Sequence, residues 1–249
     1  MGVCGYRSVH PAEDFIYEIL NINKLNTKNT NDLETNVLHT FKDGTINFNE
    51  GIAHLKSLFE QEKPKNHYFN YHNRIFTSLI ENVFSHRKED SSDKISAFYL
   101  VFITIPFCRN VVSANDKQTK IIRIQQFFDL VKKIEGKVAI GYRTFKEYLR
   151  LYLNLMTSVI SKAVLEEAVN CNEKPSLQDE LKNLIERVYD EKNLEDYLTS
   201  ITRDYEMKYA TRIDTSEITL ENLKELFDKR IGFFYIQDLR YEIVNNYAL

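Results

Sequence analysis

Apolar positions recur along most of this chain at intervals of three and four, the spacing that gathers side chains on one face of an α-helix. Phe69, Ile75, Phe76, Leu79, Ile80, Val83 and Phe84 hold that pattern with His72 through residues 68–84. Phe15, Ile16, Ile19 and Leu20 share a face behind Pro11, which suits a first helical position with Glu13 and Asp14 in the first turn. Ile52, Leu55, Leu58 and Phe59 predict a helix capped by Asn49. Ile121, Ile124, Phe128 and Val131 predict another that ends at Glu135-Gly136-Lys137.

The stretch from Tyr142 to Val169 is different. It has no Gly or Pro, and Leu149, Leu151, Tyr152, Leu153, Leu155, Met156, Val159 and Ile160 make it apolar on nearly every face. A helix of that kind must be surrounded by other helices. The expected fold is therefore all-α: a multi-helix bundle around a buried central helix at about residues 142–169. After it, Leu177, Leu181, Leu184 and Val188 step by four, three and four through an acidic stretch. The pattern resumes at Leu194, Leu198, Ile201 and Tyr205, after a phase slip around 190–193 that marks a helix break or stutter. Residues 219–227 predict one more helix, and Gly232 precedes an aromatic C-terminal one.

Two places depart from helical spacing. Lys42-Asp43-Gly44-Thr45 has the Asp-Gly of a tight turn, so one small β-hairpin is expected near 37–48, with 37–41 and 45–48 as its strands. Ile95 to Ile105 is rich in β-branched and aromatic residues, and reads as a helix kinked at Pro106 in preference to a buried strand. Lys63-Pro64-Lys65-Asn66 breaks the chain, which divides it into a small N-terminal helical lobe, 1–66, and a main helical bundle, 67–249.

Composition agrees with helices. The 249 residues include only 7 Gly and 4 Pro, where average usage gives roughly 17 and 12; sandwiches and barrels need more turn residues than that. The most apolar run, Ile95 to Cys108, is too short for a bilayer, so a membrane role is not expected. Three scattered cysteines, Cys4, Cys108 and Cys171, fit free thiols in a reducing compartment. With no signal-peptide pattern, a soluble protein of the cytoplasm or nucleus is expected.

The net charge is −3, but it is unevenly spread. Residues 117–150 hold nine Lys/Arg against three acids, and 166–206 hold twelve acids against five bases. Opposed helix faces within one fold account for this most simply. As an alternative, Lys117, Lys120, Arg123, Lys132, Lys133, Lys137, Arg143 and Lys146 could contact RNA phosphates, with Tyr142, Phe145 and Tyr148 between them to stack on bases.

No catalytic, metal or nucleotide motif is legible, and no cofactor is expected. Asp43 to Glu50 matches the second half of an EF-hand loop, but His39 and Phe41 stand where a calcium ion needs oxygen ligands. Glu50 and His54 have the spacing of half a di-iron site, without the second Glu-x-x-His pair. The leading expectation is a non-catalytic protein–protein interaction protein: an adaptor, scaffold or complex subunit, or one that self-associates. Its candidate interface is the stripe Leu181, Leu184, Val188, Leu194, Leu198 and Ile201, with the aromatic Phe233, Phe234 and Tyr241. An enzyme whose catalytic residues come together only in space is the remaining alternative.

Overall fold

The structure, a computed structural model, describes residues 10–21, 30–60, 68–86, 93–107, 117–209, 217–228 and 231–248. Its first half runs α1 (Pro11–Asn21), α2 (Thr30–Thr40), β1 (Thr45–Asn47), α3 (Phe48–Glu60), α4 (Phe69–His86), β2 (Lys94–Ser96), α5 (Phe98–Thr104) and α6 (Lys117–Glu135). Then follow α7 (Tyr142–Asn154), α8 (Ile160–Asn170), α9 (Pro175–Asn183), α10 (Glu191–Tyr209), α11 (Leu220–Leu226) and α12 (Ile236–Tyr247). The fold is an all-α bundle with one small antiparallel strand pair.

Helices α7 and α8 form one continuous helix over 142–170, joined by a π-helical turn at Leu155–Val159 whose five residues are all buried. Helices α4, α6, α9, α10 and α12 pack around it, as apolar residues on every face require. A π-turn loosens the regular carbonyl ladder. Arg240 of α12 crosses to it and donates through Nη1 to Met156 O at 2.7 Å and Thr157 O at 3.2 Å. Thr157 Oγ1 bonds back to Leu153 O at 2.7 Å. A second π-turn, Leu184–Val188, continues α9, and the N–H of Tyr189 reaches back to Leu184 O at 2.9 Å. This turn and the break after it are the structural form of the phase slip. The chain restarts as α10, where Asp190 Oδ1 accepts from the N–H of Asn193 at 2.7 Å.

The strand pair differs from the expected hairpin. Residues 37–40 belong to α2, and β1 pairs instead with β2 in the register Thr45↔Ser96, Ile46↔Ile95, Asn47↔Lys94. The tight turn itself is present: Gly44 has φ +71°, and the Asp43 carboxylate accepts from Thr45 N and Oγ1. The cap of α3 is Asn47, not Asn49. Asn47 Oδ1 accepts from Glu50 N at 2.9 Å, and Glu50 Oε2 accepts from Asn47 N at 2.8 Å, a reciprocal capping box. Thus both carboxylates of the calcium-loop likeness, Asp43 and Glu50, are engaged in backbone capping. Helix α6 ends as expected at Gly136, whose φ is +64°, with Lys137 N on Lys132 O at 3.0 Å.

One hydrophobic cluster runs from Ala12 in α1 to Val244 in α12. The break at Lys63 to Asn66, and the domain boundary drawn from it, lie outside the described residues, as do Cys4 and Cys108. No described helix is long and apolar enough to cross a membrane.

Candidate binding groove

An open groove of about 1270 Å³ lies between the central helix and the start of α10, with Asn82 and His86 of α4 at one end. One wall is a single stripe of the central helix: Glu147, Leu151, Asn154, Ser158 and Lys162. Their steps of four, three, four and four exceed the pitch of a regular helix. The π-turn supplies the extra residue and keeps the stripe on one side. The other wall is Ile185, Tyr189, Asp190, Glu191, Leu194, Glu195 and Asp196. Both π-turns therefore border the groove.

The floor is apolar and the rim charged. Leu151, Leu153 and Leu194 are buried, whereas Glu147, Arg150, Lys162, Glu191, Lys192 and Asp196 are exposed. Arg150 spans the walls and grips Glu195 with Nε and Nη2, each at 2.8 Å. That fork holds the Glu195 carboxyl below its usual range and the Arg150 guanidinium above its own. Beneath the groove, Tyr189 donates to Glu13 Oε2 at 3.0 Å, and burial pushes its phenol well above the ordinary range. The Arg240 guanidinium lies 4.8 Å from the Tyr189 ring centre and also donates to Glu13 and to Ser161 Oγ.

The residues singled out from periodicity lie elsewhere. Leu181, Leu184, Val188, Leu194, Leu198 and Ile201 are all buried in the chain's own core, each under a tenth exposed. Only Leu194 reaches the groove floor. Phe233 and Phe234 are buried in an aromatic cluster, with Phe234 at 4.8 Å from both Phe127 and Phe227. Tyr241 is half-buried and stacks on Tyr17 at 5.9 Å. The stripe's narrow 3/4 spacing is satisfied inside the monomer by α7, α8, α11 and α12.

The basic region is likewise drawn into the fold. Arg123 is fully buried, donates to Ile105 O, and sits 5.2 Å from the Tyr235 ring centre; a buried guanidinium cannot meet a phosphate on the surface. Lys132 pairs with Asp129 at 2.8 Å, Lys133 with Glu34, Lys137 with Glu135 at 3.3 Å, and Lys146 with Glu206 at 2.7 Å. Arg143 is exposed on α7, and the side chains of Lys117 and Lys120 lie outside the described residues. Tyr142 stacks on Tyr205 at 5.0 Å, and Tyr148 bonds Tyr99 and Glu135. The basic face of α7 meets the acidic face of α10 through Arg150–Glu195 and Lys146–Glu206.

Among the described residues, no group of three or more His, Cys, Asp or Glu is placed to hold a metal ion. The groove residues Glu147, Asn154, Ser158, Lys162 and Tyr189 were not singled out from the sequence. The available signal was the phase slip near 190–193, which marks where the second wall turns. Comparison with protein-family models, with curated proteins and with solved structures finds no match for this chain, so the groove is interpreted from its own residues.

Proposed function

We propose that this chain is a non-catalytic interaction protein, an adaptor or complex subunit, that receives a segment of a protein partner in the groove beside the central helix. The observation that carries this reading is the groove itself, with its apolar floor and charged rim. At about 1270 Å³ it exceeds the 300–1,000 Å³ usual for small-ligand pockets. The Arg150–Glu195 fork and Tyr189 favour binding over acid–base chemistry. A catalytic acid or base needs a pKa moved toward neutrality, whereas Glu195 is moved down and Arg150 and Tyr189 up. An RNA-binding role draws less support, because Arg123 is buried and four of the lysines are matched with carboxylates. A cytoplasmic or nuclear setting goes with this reading, since Cys171 is exposed and unbridged.

The test is affinity purification of the tagged chain from its native cell, with and without nuclease, beside a Glu147→Arg/Asp196→Arg variant. A stoichiometric partner that survives nuclease and is lost by the folded variant is the expected result. A partner retained by the variant refutes the groove. Partners lost with nuclease return the basic residues to the front, and an empty bait in every arm favours an enzyme.

A further inference from the structure

The groove's charge is unbalanced. It carries five carboxylates, Glu147, Asp190, Glu191, Glu195 and Asp196, against the three basic side chains Arg150, Lys162 and Lys192, a difference of two. Removing the Arg150–Glu195 fork leaves four carboxylates against two ammonium groups. The N-terminus of α10 adds a positive dipole end of roughly half a charge, too little to reverse the sign. An anionic partner would therefore meet net repulsion along the rim.

We propose, resting on the functional reading above, that the occupant is a short basic segment of a protein partner. Its Lys or Arg side chains flank at least one large aliphatic residue. The cations lie against Glu147, Glu191 and Asp196, which are exposed on the groove rim; the first two also feel the Arg150 charge. The aliphatic residue seats over Leu151 and Leu194, between the two walls. Long Lys and Arg stems cover the apolar edge while their charged ends stay in water. Rim charges of this kind set the rate and specificity of association, and salt screens them.

The test uses the full chain and three fluorescent eight-residue probes: alternating Arg and Leu, alternating Glu and Leu, and alternating Arg and Ser. Binding is followed by fluorescence anisotropy at low and high salt. The Arg-Leu probe is expected to bind saturably and to weaken with salt. It should weaken about fivefold to tenfold on Glu147→Arg/Asp196→Arg, the effect of two exposed charge reversals. The Glu-Leu probe should not bind. Arg-Ser should bind more weakly than Arg-Leu. Equal binding by Glu-Leu, or no change in the variant, overturns the basic segment. Equal binding by Arg-Ser removes the aliphatic anchor and points to a polyamine-like occupant. Because both substitutions are exposed, circular dichroism of the variant should match the wild type; if it does not, Glu191→Lys alone is the replacement. Failure of every probe, with a native partner still lost from the variant, overturns the basic segment and leaves the functional reading standing. A native partner indifferent to the variant overturns both.

Discussion

Arg240 donates through Nη2 to Glu13 Oε2 at 2.9 Å, joining helices 227 positions apart, with both side chains sealed from solvent. Burial works against the Arg240 charge, but the Glu13 carboxylate and the buried tyrosines offset it and hold the guanidinium above its ordinary range. Nε donates to the other Glu13 oxygen, Oε1, Nη1 goes to the π-turn carbonyls, and Nη2 also reaches Ser161. Breaking such a pair leaves a lone buried charge. Glu13→Gln or Arg240→Met should each cost about 3–5 kcal/mol, while Glu13→Leu with Arg240→Met should recover part of the loss. Urea unfolding of the three variants checks this. A double variant that loses the sum of the two single losses would show that the pair is not coupled.

Tyr189 links this charge cluster to the groove. Tyr189→Phe keeps the ring in the wall and deletes only the donor to Glu13. The expected loss is about 1–2 kcal/mol, with no change in basic-probe affinity. A variant that stays stable but binds differently would mean that the hydroxyl faces the ligand.

His72 makes stability depend on pH. Its Nε2 lies 2.9 Å from Ile19 O, so Nε2 carries the hydrogen and donates. Burial lowers its pKa, opposed in part by that hydrogen bond. The unfolded chain therefore takes up a proton near pH 6.5 that the folded chain resists. Stability should be full above about pH 6.5 and fall as the pH drops toward the folded pKa. Thermal unfolding at pH 7.5 and 5.5 should show a smaller difference for His72→Gln than for the wild type. An equal difference would assign the pH dependence to other groups.

Two substitutions test the fold itself. Leu198→Ala, at a wholly buried position, should cost about 2–5 kcal/mol, as a core residue and not an interface residue would. Gly136→Ala should cost about 1 kcal/mol. A Cβ there would meet nothing within 4 Å, so the penalty belongs to the positive φ alone. Denaturant midpoints decide both.

Periodicity alone was enough for the helical class and the central helix, because a residue that is apolar on every face of a helix has few places to go. Local turn chemistry located the turn at Gly44 and the cap at Gly136, which depend on backbone preferences of a few residues. The partner of β1 was beyond its reach, since Thr45–Asn47 pairs with Lys94–Ser96 about fifty positions away, and local turn chemistry carries no information about so distant a strand. The same limit governs the functional residues. An amphipathic stripe such as Leu181 to Ile201 reports only that one face must be buried, whether inside the monomer or against a partner; packing against α7, α8, α11 and α12 chose the monomer. A basic residue such as Arg123 reads as a surface charge until tertiary structure closes over it. The groove places Glu147 to Lys162 opposite Tyr189 to Asp196, with residues of both π-turns on its border. That meeting of distant segments was decided by the tertiary structure, through the packing of whole helices and the buried Glu13–Arg240 pair beneath them.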